Sequence, residues 1–131
     1  MTRRAASILV VDDEQDLLDL VRLVLEGEGY AVVTVSDGKQ ALDQVAVAMP
    51  DLILLDMKMP VMDGKQFATA FRRMYRDAAP ILVVTAADDA RKRALDIGAA
   101  GWIAKPFELP DLLCAVRAQL SARAANASAR G

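Results

Sequence analysis

Histidine is absent from all 131 residues, which excludes imidazole metal ligands, imidazole general bases and any role as a phosphohistidine carrier. Whatever chemistry the chain performs rests on carboxylates, lysine and hydroxyls. Cysteine occurs once, as Cys114, so an internal disulfide framework is ruled out and a reducing cytoplasm is the expected setting. The neighbours of Cys114 predict a buried helix position with no catalytic role. Aromatic residues make up 5% of the chain, Trp102 is the single tryptophan, and basic side chains are scattered instead of being interleaved with aromatics. At a formal charge of -2 this excludes the electrostatic footprint of a nucleic-acid binder, and no direct nucleic-acid contact is expected. Long hydrophobic runs are missing as well: the hydrophobic fraction is 54%, yet the apolar stretches are strand-sized, far short of the ~18 residues of a membrane span. The basic start at residues 1–4 leads into an apolar run that Asp12 and Asp13 interrupt, unlike the core of a signal peptide. Neither export nor membrane association is expected.

Five short, β-branched apolar runs of the kind buried on both faces of a parallel sheet recur along the chain: SILVV at 7–11, AVVTV at 31–35, LILL at 52–55, ILVV at 81–84 and GWIA at 101–104. Between them lie stretches of helical spacing. Leu17, Leu18, Val21, Val24 and Leu25 repeat at three and four residues until Gly27 and Gly29 stop them. Asp37-Gly38 opens a second helix carrying Ala41, Leu42, Val45 and Ala48, ended by Pro50. Residues 64–75, 88–97 and 107–121 supply three more. Strands alternating with helices of this length demand parallel pairing and right-handed crossovers, so the expected fold is a doubly wound α/β sandwich with one core. The domain spans 7–121, after an N-terminal extension at 1–6. The Ala/Ser-rich stretch 122–131 lacks apolar anchors and is expected as a flexible or frayed tail.

Ligands of such folds bind at the carboxyl ends of the strands, and the unusual residues fall there. The first strand ends in Asp12-Asp13 and then Glu14; the third ends in Asp56; the fourth ends in Thr85; the fifth ends in Ala104-Lys105-Pro106. Clustered carboxylates repel unless a cation offsets them, and an all-oxygen site with open positions suits Mg2+. Acids, a hydroxyl and an ammonium are the parts of phosphoryl transfer onto a carboxylate, and a carboxylate ionised at neutral pH needs no general base. The missing histidine is therefore compatible with this chemistry.

The blocks VVDDEQDL, LILLDMKMPVMDG, VVTA and GAAGWIAKPF, in that order and at strand ends, resemble the signature blocks of the response-regulator receiver family over nearly the whole chain. The resemblance implies a flavodoxin-like (β/α)5 receiver fold: five parallel strands and five helices. It implies that Asp56 is the phosphoacceptor, taking its phosphoryl group from a sensor histidine kinase or a His phosphotransfer protein. Asp13 and Asp56 would ligate Mg2+ directly, Asp12 through water, and the Lys58 backbone carbonyl would complete the protein ligands. Thr85 and Lys105 would bind the phosphoryl oxygens, and the Lys105–Pro106 bond would be cis. As switch residues, Thr85 would be drawn toward the phosphoryl group and Trp102 would stand where the family usually has Tyr or Phe. The surface of the fourth helix, fifth strand and fifth helix would then rearrange to bind a downstream effector protein, as a monomer or a phosphorylation-dependent dimer. Such a protein is a signalling domain and not an enzyme, beyond self-phosphorylation and self-dephosphorylation. With no effector domain after the fifth helix it resembles a single-domain regulator of the chemotaxis or phosphorelay type, and an excised piece of a longer regulator reads identically.

Plainer readings stand beside these. A helix N-cap explains one of Asp12 and Asp13 but not both. Trp102 fits core packing as well as an inward swing. Asp63-Gly64 is a turn and helix entry; Met57, Met59 and Met62 fill gaps; Arg91-Lys92-Arg93 is a solvated face, or a surface for an acidic partner. Lys58 replaces the small polar residue often found two after the acceptor, and its ammonium reaches toward the rim, where it is expected to alter phosphoryl lifetime. A haloacid-dehalogenase phosphatase also uses a strand-end Asp with Mg2+, but needs a second Asp where Lys58 stands. A flavin-binding module would need a phosphate loop after the first strand, where two acids stand instead.

Overall fold

Successive side chains of each strand point to opposite faces, and this chain fills both faces with apolar groups. The computed structural model describes residues 5–86 and 88–130, with side chains through Ala124. Residues 1–4 of the expected extension and Gly131 lie outside the described residues. The strands are β1 Ser7–Val11, β2 Ala31–Val35, β3 Leu52–Leu55, β4 Ile81–Ala86 and β5 Gly101–Lys105. The helices are α1 Gln15–Gly27, α2 Gly38–Val47, α3 Gly64–Tyr75, α4 Ala90–Asp96 and α5 Leu109–Arg130. All pairings are parallel, in the order β2-β1-β3-β4-β5. The expected doubly wound sheet with five helices is the observed architecture.

The two-residue alternation sorts the core into two layers. Ile8, Val10, Leu52, Leu54, Leu82 and Val84 face α1 and α5, through Leu18, Val21, Leu25, Leu112 and Val116. Leu9, Val11, Ile53, Leu55, Ile81 and Val83 face α2, α3 and α4, through Ala41, Val45, Phe67, Phe71 and Ala94. Phe67 and Phe71, one helical turn apart, stack at 5.6 Å and are fully buried. Asp37 caps α2 by accepting from the Gln40 amide, and Asp63 forms a reciprocal capping box with Gln66 on α3.

Four details differ from the sequence reading. Strand β4 runs on past Thr85 to Ala86, and β5 extends past the run GWIA to Lys105. Helix α4 is shorter than the expected 88–97. Helix α5 begins two residues later than expected and runs to Arg130, with Arg123 donating to the Ala78 carbonyl at 3.0 Å. Cys114 is exposed, not buried. Leu112 and Val116 take the sheet-facing positions of α5, and a residue midway between them points about half a turn away.

Candidate functional site

Strand β1 lies between β2 and β3 although β2 and β3 follow it in the chain, so the connections leave it in opposite directions and open a crevice at its carboxyl end. Val11 pairs with Leu55 in register, which sets the next residues, Asp12 and Asp56, side by side. The backbone fixes both: the Asp12 amide donates to the Val35 carbonyl at 3.2 Å and the Asp56 amide to the Val11 carbonyl at 2.9 Å. Carboxylate oxygens of Asp12, Asp13 and Asp56 lie within 4.8 Å of one another. Asp12 and Asp56 are buried and Asp13 is exposed.

Lysine 105 enters from the end of β5. Its Nζ stands 2.7 Å from Asp12 Oδ2, 3.7 Å from Asp56 Oδ2 and 3.3 Å from Glu14 Oε1. Thr85, buried on β4, donates its hydroxyl to Asp56 Oδ1 at 3.2 Å, and the Lys58 amide donates to the same oxygen at 3.3 Å. The Asp12 side chain accepts from the Glu14 amide at 2.9 Å, a local turn that aims it into the crevice while Glu14 takes the N-cap position of α1. Five of the residues singled out in the sequence therefore meet at one point: Asp12, Asp13, Asp56, Thr85 and Lys105. The Lys105–Pro106 bond is cis.

Two others stand apart. Trp102 is 47% exposed on the edge strand β5, so it belongs neither to the core nor to the crevice. Lys58 sends its ammonium not over Asp56 but to Asp89, with Nζ 3.7 Å from Asp89 Oδ2.

Two residues of the site were not given a role there by the sequence. Glu14 supplies a third acid to Lys105; its position after Asp12-Asp13 was visible, its pairing across 91 residues was not. Gly64, read as a plain turn, is a close approach: a Cβ on it would sit 2.6 Å from the Asp56 carbonyl oxygen and 2.7 Å from Met57 Cα. Gly64→Ala is expected to push the loop under Asp56 aside and to destabilise the protein by about 1–3 kcal/mol, read as a lowered denaturation midpoint in urea. The same loop carries Val61 at φ 68, with the Met62 amide turning back to the Pro60 carbonyl at 2.7 Å. A β-branched residue in that region stores strain beside the site.

Burial pushes the Asp56 carboxyl above its ordinary pKa, outweighing the Lys105 charge and the Lys58 and Thr85 hydrogen bonds that pull it down. Burial does the same to Asp12 against the pull of Lys105 and the Glu14 amide, and the Asp56 charge adds to it. For Lys105, burial disfavours the ammonium, but the hydrogen bond to Asp12 and the charges of Asp12, Asp56 and Glu14 prevail and hold its pKa above the ordinary value. A carboxyl whose folded pKa is raised favours the folded state below its unfolded pKa and loses that contribution as pH rises through the folded value. In chelator, Asp56→Asn is therefore expected to melt increasingly above the wild type as pH climbs from about 4 to 7, by a few degrees at the top of that range. Parallel thermal melts across that pH series measure the gap.

The cluster fits a hard divalent cation: the donors are carboxylate oxygens from the ends of two adjacent strands, close enough to share one ion, and three acids there outnumber the one ammonium of Lys105. The profile described as the response regulator receiver domain matches residues 8–117. Among curated relatives, the response regulator MprA of Mycolicibacterium vanbaalenii is 42% identical over 115 residues, covering 86% of this chain and 49% of that protein. The transcriptional regulatory protein PrrA of Mycobacterium leprae is 40% identical over 123 residues, covering 92% of this chain and 52% of that protein. Among solved structures, the chemotaxis protein CheY4 of Vibrio cholerae superposes with a TM-score of 0.82 at 34% identity, over 88% of this chain and 99% of that one. The chain belongs to the response regulator receiver domain family, the signalling domains of two-component systems. It spans about half the length of the curated relatives it matches.

Proposed function

We propose that this receiver accepts a phosphoryl group on Asp56, with Mg2+ bound, and uses the modified site to change its affinity for a partner. The observation that carries the reading is the convergence on Asp56 of unlike groups from separate strand ends: the Asp12 and Asp13 carboxylates, the Lys105 ammonium and the Thr85 hydroxyl. A buried carboxylate needed only for packing has no use for two further acids beside it. In the transfer, an Asp56 carboxylate oxygen attacks phosphorus, the donor's bond to phosphorus breaks, and the donor leaves with that electron pair. From a phosphohistidine donor the leaving atom is an imidazole nitrogen. Thr85 is positioned to donate to the transferred group, and Lys105 to offset its charge while still anchored on Asp12 and Glu14. Asp12, Asp13, Asp56 and the Lys58 carbonyl would hold Mg2+. The ion's charge offsets the negative charge that builds up on the phosphoryl oxygens.

The donor is a sensor histidine kinase or a His phosphotransfer protein, and the output is a downstream effector protein met at the face of α4, β5 and α5, by a monomer or by a dimer formed on phosphorylation. That face exposes Leu95 and Trp102. No described helix is long and apolar enough to cross a membrane. We read the domain as cytoplasmic, from the two-component family it belongs to, and its scattered basic residues and formal charge of -2 speak against direct nucleic-acid contact by this domain. Its span fits both a free-standing regulator of CheY4 size and the receiver part of a longer regulator such as MprA. Beyond modifying and unmodifying itself, we read the domain as a signalling module and not an enzyme: the position two residues after Asp56, where the haloacid-dehalogenase phosphatases carry their second Asp, holds Lys58.

Trp102, the only tryptophan, reports on the test. Titrating Mg2+ and then beryllofluoride, a phosphoryl mimic, is expected to change its fluorescence in two saturable steps in the wild type, with the second step missing in Asp56→Asn. An equal response of both proteins to the mimic overturns the assignment.

A further inference from the structure

Lys58 begins at Asp56 and ends elsewhere. Its amide N–H donates to Asp56 Oδ1, while its ammonium, at 3.7 Å from Asp89 Oδ2, crosses from the loop after β3 to the loop after β4. Thr85, the hydroxyl donor to Asp56, lies on the strand leading into that second loop. Both partners of the pair are largely exposed, at 60% for Lys58 and 40% for Asp89. Exposed pairs of this kind contribute little and re-form easily with a better partner. Asp89 is moreover shared: Arg93, one helical turn along α4, brings Nε to 3.4 Å and Nη2 to 3.5 Å from the same Oδ2. Asp89 therefore keeps a cation if Lys58 leaves.

We infer that Lys58 is a further phosphoryl-binding cation, held off the acceptor by Asp89 until Asp56 is modified and the ammonium exchanges Asp89 for the phosphoryl oxygens. This rests on the reading of Asp56 as the acceptor. The exchange follows from charge: a phosphoryl group brings close to two negative charges and three strong acceptor oxygens, against one exposed carboxylate already engaged by an arginine. Lysine suits the task, since its ammonium is a point charge on a flexible four-carbon stem and turns without repacking its surroundings. Asp89 acts as a gate, setting how much of the Lys58 charge the acceptor feels before modification. Releasing it also parts the loop after β3 from the entry of α4, so that occupancy of Asp56 is passed to the helix that borders the output face.

A double-substitution cycle tests the gate: wild type, Lys58→Met, Asp89→Asn and the pair, each in saturating Mg2+ and titrated with beryllofluoride by Trp102 fluorescence, with Asp56→Asn as control. Far-UV circular dichroism and melting curves verify that each exposed substitution leaves the fold intact. Lys58→Met is expected to weaken the mimic several-fold, and Asp89→Asn to tighten it about 2- to 3-fold, the size of an exposed pair. In the Lys58→Met background Asp89→Asn should change nothing, because the gate has nothing left to hold. If Asp89→Asn has the same effect in both backgrounds, or neither substitution moves the affinity, the gate is wrong while Asp56 stands. If wild type and Asp56→Asn respond alike, the acceptor reading fails and the gate with it.

Discussion

Asp56→Asn is expected to take up no phosphoryl group from a small acyl-phosphate donor in Mg2+, under conditions in which the wild type is modified. The loss should be complete. An amide oxygen carries no charge and is a poor nucleophile toward phosphorus, and no other carboxylate of the crevice shares the position of Asp56. Asp12 is held by the Glu14 amide and by Lys105, and Asp13 is exposed outside the hydrogen bonds that Thr85 and the Lys58 amide give to Asp56 Oδ1. Intact-protein mass after a timed incubation reads the result, and uptake by the variant at the wild-type rate would falsify the assignment. The same variant should stay folded, because the asparagine side chain keeps the shape of aspartate and removes a charge that burial disfavours.

Lys105→Met removes the cation on which the site's acids converge, and here stability and chemistry should fail together. Lys105 is mostly buried and Asp12 more so, and at 2.7 Å they form the tightest ion pair of the crevice. Breaking a buried pair strands a charge, so in chelator at pH 7 the variant is expected to lose about 3 kcal/mol, roughly 10 °C of melting temperature for a domain of this size. The sign of its pH dependence follows. Without the ammonium, Asp12 and Asp56 lose a partner that pulls their pKa values down, so both protonate at higher pH and the deficit shrinks as pH falls from 7 toward 5. Added Mg2+ should shrink it too, because acids that have lost the ammonium bind the cation more tightly than the wild-type acids do, so the ion stabilises the variant more. Phosphoryl uptake should remain depressed about 10²-fold even in Mg2+, since the transferred oxygens still lack the ammonium. A deficit that ignores both pH and Mg2+ would point to lost packing of the lysine stem instead.

How much of this was legible in the sequence depends on the range of the cause. Strands β1, β2 and β3 follow directly from short apolar runs bounded by turn residues, and α3 from a spacing opened by Asp63-Gly64 and closed after Tyr75. The crevice was legible because its parts are type-specific and stand at strand ends, where topology alone brings them together. What escaped depends on contacts between distant segments. Cys114 turned outward because only the sheet decides which face of α5 is buried. The stretch after Ala122 carries no apolar signal, yet Arg123 reaches a carbonyl near the start of β4 and sits near Asp51. Lys58 was visible beside the acceptor, but its partner Asp89 lies 31 residues on and belongs to a different loop. Gly64 looked like any turn glycine until the Asp56 backbone was found against it.

Trapping the modified residue tests most directly whether Asp56 alone takes the phosphoryl group. An aspartyl phosphate is an activated acyl group, and hydroxylamine converts it to a hydroxamate that stays on the residue through proteolysis. Wild-type protein treated with an acyl-phosphate donor and Mg2+, quenched with hydroxylamine, digested and sequenced by tandem mass spectrometry should carry the hydroxamate at Asp56 and at no other position. A hydroxamate at Asp12, Asp13 or any other acid, with Asp56 unmodified, would contradict the account.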